Sequence, residues 1–200
     1  MKTDVIKINS AIEGHDAAMQ TAEKFSVYNN ITGKAAMHIR LLTEEMISMV
    51  HGILDGFSGD FWLESIQTKK GLLCRICLSA DKFMNKEQES KILSVSTSGK
   101  NQNVKGIMGK IRELFRQSLQ AESSEDERFL TNMADAMGQP GMAGSSYWSL
   151  QAYRQSISPK SKPEEWDELE KSIIAKIADE VKVWLRSDAT EIVIEKLITQ

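Results

Sequence analysis

Between Lys34 and Leu54 the apolar residues Ala35, Ile39, Leu42, Met46, Met49 and Ile53 recur at spacings of three and four. That period marks a helix with one continuous buried stripe. A helix of this length hides its stripe only against a layer of similar extent. Two strand-like segments follow it directly. Phe61-Trp62-Leu63-Glu64-Ser65-Ile66 and the run from Leu72 to Leu78 are joined by Lys69-Lys70-Gly71, which predicts an antiparallel hairpin. Leu72, Cys74, Ile76 and Leu78 alternate onto one of its faces. Helix and hairpin together predict an α/β chain.

The flanks extend the same pattern. Asp4 to Ile8 alternates as a strand, and a helix is expected from about Ala11 to Tyr28, with Ala18, Ala22 and Phe25 on its stripe. Asn29-Asn30 and Thr32-Gly33 make the turn into the long helix. Near the end, Pro163-Glu164-Glu165 opens another helix, with proline and acids where a helix N-terminus favours them. Trp166, Leu169, Ile173 and Ile177 are its expected stripe. Val181 to Leu185 and Thr190 to Ile198 read as a closing hairpin across Arg186-Ser187-Asp188-Ala189. The middle is less regular. A short helix from about Lys86 to Leu93, a helix from Val104 to Leu119, another from Phe129 to Met137 and a Gly/Pro-rich loop from Gly138 to Ser146 are expected. Residues 94–163 thus read as an elaborated cover or lid within a single domain spanning 1–200.

Composition excludes several classes. The 200 residues are 41% hydrophobic and 26% charged, the balance of a globular chain. Twenty-five basic against 28 acidic side chains give a formal charge of −3, which argues against a dedicated nucleic-acid binder. No apolar run approaches a membrane span, and the N-terminus lacks the apolar core of a secretory signal. The two cysteines, Cys74 and Cys77, sit three apart on a strand and so face opposite ways. They are expected to be buried, reduced thiols, which fits a cytoplasmic protein. His15, His38 and His51 show no metal-binding spacing and are read as surface or packing residues. No Gly-x-Ser-x-Gly elbow and no complete P-loop occur.

The order strand, two helices, hairpin, long variable region, helix, hairpin resembles the ATP-binding domain of the GHKL superfamily. Gyrase, the Hsp chaperones, histidine kinases and mismatch-repair ATPases share this domain. Two segments carry the resemblance. Arg40-Leu41-Leu42-Thr43-Glu44-Glu45-Met46-Ile47-Ser48-Met49 is similar to the family's N-box helix. Ile173 to Val183, followed by Thr190-Glu191-Ile192-Val193-Ile194, is similar to its last helix and hairpin. With the middle hairpin they cover a little over half the chain, and the anti-sigma-factor serine kinases are the nearest branch in style. The resemblance implies a two-layer α/β sandwich of Bergerat type, its sheet mixed and mostly antiparallel, with helices on one face. It also implies ATP and Mg²⁺ as the ligands to look for.

Position by position, the motifs are eroded. Glu45 holds the N-box carboxylate, which in the ATPase branches orients water. Met49 stands one turn on, where the family has a magnesium-binding asparagine, and a thioether is a poor ligand for that hard cation. Asp81 stands where the family aspartate receives the adenine amino group, but Phe83 and Asn85 replace the two glycines behind it. The phosphate loop corresponds to Glu168-Leu169-Glu170-Lys171-Ser172, without glycine and with carboxylates that repel a triphosphate. Lys100, Lys105 and Gly106, with Lys110, lie where the family carries its ATP lid and are the nearest candidates for a phosphate contact. The expectation is a signalling protein of bacterial type that binds ATP weakly and acts through a protein partner, or through a second copy of itself, rather than through nucleic acid or membrane. The alternative is an active serine kinase or ATPase with a rebuilt site.

Overall fold

The computed structural model describes residues 1–9, 11, 13–53, 57–81, 107, 110–111, 146–185 and 189–199. In chain order these form β1 (Ile6–Asn9), α1 (His15–Tyr28), α2 (Gly33–Ile53), β2 (Ser58–Thr68) and β3 (Gly71–Asp81). Then follow β4 (Ser146–Ser149), α3 (Leu150–Ser156), α4 (Pro163–Lys171), α5 (Ile173–Ile177), β5 (Glu180–Leu185) and β6 (Ala189–Ile198). The expected helices at Lys86–Leu93 and Phe129–Met137 lie outside the described residues.

The strands make one six-stranded sheet in the order β1-β2-β3-β6-β5-β4. Every pairing among the described strands is antiparallel, so the parallel component of a mixed sheet is not found among them. The last strand is inserted beside the middle hairpin: β3 pairs with β6 from Leu72↔Ile198 to Asp81↔Ala189. β4 adds an edge to β5 through Tyr147↔Trp184 and Trp148↔Val183. Residues 146–149, grouped with the cover on sequence grounds, therefore belong to the main sheet.

Register sorts side chains onto two faces. Phe61, Leu63, Ile76, Leu78, Ile192, Ile194, Val181 and Val183 share one face and are buried. They pack in one core with Phe25 of α1, with Ile39, Leu42, Met46, Ile47, Met49 and Val50 of α2, and with Ile174 of α5. Of the expected α2 stripe, Ile39, Leu42, Met46 and Met49 are buried in the core and Ala35 packs against it partly buried. Thr43 lies inside it at 0% exposure because its Oγ1 donates to the Ile39 carbonyl at 3.0 Å. Cys77 and Val193 stand outside that core, on the opposite sheet face. There Arg75 Nε and Lys182 Nζ both meet the Glu195 carboxylate, at 2.9 and 3.1 Å.

Two turns depend on glycine. Gly14 precedes α1 with φ +83°, and a Cβ there would strike the Lys7 carbonyl oxygen. Gly71 follows Lys69-Lys70 with φ +134°, and a Cβ would strike the Ile198 carbonyl oxygen, so both the hairpin turn and the approach of β6 require it. The expected single helix from Pro163 onward is instead two. Ser172, at φ −68° and ψ 125°, ends α4, and its Oγ accepts the Ala175 N–H to start α5. The break changes the stripe: Leu169, Ile174 and Ala175 are buried, while Ile173 is 45% exposed.

Candidate functional site

Two of the polar candidates, Glu45 and Asp81, are carried by α2 and β3. The start of α2 lies near the far end of β6, where Lys196 acts on His38. The end of α2 lies against Phe57, whose ring is 5.1 Å from that of His51. Phe57 leads directly into β2, and Gly59 pairs with Ala80. The C-terminal half of α2 and the close of β3 at Asp81 therefore lie at the same end of the sheet. Gly59 allows the close approach there, since a Cβ would come within 2.8 Å of the Ser79 oxygen.

On this half of α2, Glu44 is exposed, Glu45 is half-buried and Met49 is buried. Among the described residues Glu45 has no hydrogen-bond or ion-pair partner. It sits on the flank of the stripe, as its helical position requires. Met49 is 2% exposed and belongs to the core. At the position where the resemblance places the magnesium ligand there is therefore a thioether committed to packing. Asp81 closes β3 opposite Ala189. Lys100, Lys105 and Gly106 lie outside the described residues.

The stretch matching the phosphate loop is the last turn of a helix. Backbone N–H groups in α4 serve the helix, with the Trp166 N–H donating to the Lys162 carbonyl at 3.0 Å. The side chains are engaged too: Trp166 Nε1 donates to Glu170 at 2.9 Å, and Lys171 stands 3.9 Å from Glu168. At the start of α5 the Ala175 N–H donates to the Oγ of its own Ser172 cap at 3.3 Å. Neither the Met49 position nor this helix offers the groups that Mg·ATP needs, so the described residues at these two positions do not fit that ligand in the manner the resemblance implies.

Glu165 ties α3 and α4 to Lys110. Its Oε2 accepts the Tyr153 hydroxyl of α3 at 3.2 Å and lies 3.3 Å from Lys110 Nζ, while Lys162 stands 3.7 Å from Oε1. Burial opposes the Glu165 charge, but the hydrogen bonds and charges of Lys110, Lys162 and Tyr153 outweigh it and hold the carboxyl below its ordinary range. Tyr153 goes the other way, up to about 12, through burial and then the Glu165 charge and hydrogen bond. Ile107 and Ile111, on either side of Lys110, are buried. Lys110, a candidate for holding an anion, is thus already neutralised by a carboxylate. Helical spacing placed Glu165 in a first turn; it carried no signal for this hub, because both Lys110 and Tyr153 come from other elements.

Two histidines distant in sequence are neighbours in space. The rings of His15 and His51 meet edge to face with centroids 5.4 Å apart. Among the described residues no group of three or more His, Cys, Asp or Glu side chains is arranged to hold a metal ion. No described helix is long and apolar enough to cross a membrane. Comparison with models of protein families, with curated proteins and with solved structures finds no match to this chain.

Proposed function

We propose that this chain is a regulatory protein built on a scaffold of GHKL type, that its nucleotide site is degraded, and that it acts through contacts with another protein. The scaffold half of the reading is supported by the element order, by a long helix packed on the sheet, and by the closing hairpin set directly beside the middle one. The degraded-site half rests on one observation above others: Met49, at the N-box asparagine position, is a core residue. The helical Glu168–Lys171 stretch supports it independently, because a phosphate cradle needs backbone N–H groups that point outward.

Glu45 and Asp81 are the polar remnants of the site in this reading, and whatever adenine nucleotide reaches them is held weakly. Isothermal titration with Mg·ATP tests the proposal. The expected result is no saturable binding in the micromolar range. Micromolar binding would overturn it, and loss of that binding in both Glu45→Ala and Asp81→Asn would favour an active nucleotide-binding protein. Light scattering on the same sample reads whether the protein partner is a second copy of the chain.

A further inference from the structure

The contact between His15 and His51 joins the beginning of α1 to the end of α2, two points 36 positions apart in sequence. Phe57 extends it to the entry of β2, its ring packed edge to face on His51 at 5.1 Å. Three elements thus meet through a row of three rings at the sheet end where α2 brings Glu45 and Met49. Such packing suits neutral imidazoles. The Nε2 atom of His15 is buried and, among the described residues, has no hydrogen-bond partner.

The surroundings determine how many protons the pair tolerates. His15 is the first residue of α1, and Gly14 before it offers no capping side chain. His51 lies in the last turn of α2, where the helix dipole favours a cation. Among the described residues, the charged ones nearest this contact in sequence and register are Glu13 and Asp16, both exposed, and Lys7 and Asp60, which pair with each other at 2.6 Å. Burial, followed by the His15 charge, keeps His51 below the ordinary histidine range, and none of those four residues contributes. One imidazolium fits this arrangement. Two cannot share a contact of 5.4 Å in a half-buried site without strong repulsion.

We propose that His15 and His51 form a proton-sensitive latch, which holds α1, α2 and the start of β2 together while at most one ring is charged and releases the end of α2 when both are. The sign follows from linkage. A histidine held neutral by the fold leaves stability intact above the ordinary value of 6.5. Stability declines as pH falls below 6.5 through the lower folded value, because only the unfolded chain takes up the proton.

Melting temperature measured between pH 7.5 and 5 on the full chain, with His51→Phe beside the wild type, tests this. His51→Phe keeps a ring against His15 and Phe57 and removes the second charge. The wild type is expected to lose about 2–4 °C more than the variant over that interval. His38 also lies below its usual range, but it is present in both proteins and cancels from the comparison. Hydrogen exchange supplies the readout that does not depend on the variant's folding: the wild-type amides of the last turn of α2 should lose protection at pH 5 while those of β3 keep it. Equal pH profiles in the two proteins, or unchanged protection of that last turn, would overturn the proposal.

Discussion

At the scale of single residues, the sharpest constraint is Gly14. Its φ of +83° is in the left-handed region, and the Lys7 carbonyl occupies the space where a Cβ would go. Gly14→Ala therefore meets both backbone strain and a backbone clash that no side-chain rotation relieves. We expect a loss of about 2–4 kcal/mol in urea unfolding, with the slope unchanged. A loss below half a kilocalorie would mean that the α1 entry is not packed on β1 as described. The two cysteines make an equally specific expectation. Burial pushes Cys74 up to about 11 and Cys77, with Glu64 adding to the effect, up to about 12. Neither should react measurably with a thiolate-selective reagent at pH 8 in the folded protein, and both should react on adding denaturant. Their opposite orientation was legible in the sequence, because alternation along a strand needs no tertiary knowledge. The His15–His51 contact was not, because spacing along a chain carries no information about which helix ends converge.

At the scale of elements, legibility followed length and period. α2 and the β2–β3 hairpin repeat their pattern for long enough that packing simply completes it. β4 has four residues after a Gly/Pro-rich run, too few for a period to register. The α4–α5 break escaped for another reason: Leu169 and Ile173 keep helical spacing across it. Ser172 carried the one available signal, a capping residue in mid-helix. The same region holds the Glu165 hub, which ties α3 and α4 to Lys110. Because the folded carboxyl lies below its ordinary value of 4.5, its contribution is complete above that pH. It is lost as pH falls through the lower folded value. Glu165→Gln should therefore be less stable than the wild type at pH 7, and the difference should shrink steadily below pH 4.5. Melting curves at pH 7, 5 and 3.5 check this. A difference that persists undiminished in acid would show that Glu165 acts by shape alone.

At the scale of the whole molecule, the decisive feature is the insertion of β6 between β3 and β5. The first half of the chain supplies β1, α1, α2, β2 and β3, and the second half closes the sheet from beyond residue 146. The ladder between β3 and β6 runs ten residues, from Leu72↔Ile198 to Asp81↔Ala189, and joins segments more than a hundred positions apart. Ile76 and Ile194 face each other in it, both at 0% exposure, with Val181 across from Ile194 on β5. Removing the Ile194 side chain opens a cavity that both halves line, at a cost of about 2–5 kcal/mol. If the sheet is one cooperative unit, Ile194→Ala must lower the exchange protection of β2 and β3 by the same free energy as that of β5 and β6. That equality is the measurement that matters. Were β2 and β3 to keep wild-type protection while β5 and β6 exchanged freely, the first half would be a body that folds alone and the closing hairpin an appendage. The long α2 stripe argues against such independence, because α2 packs on β6 and α5 as well as on its own half, and a helix whose buried face is shared cannot keep its full stability when one of the two layers leaves.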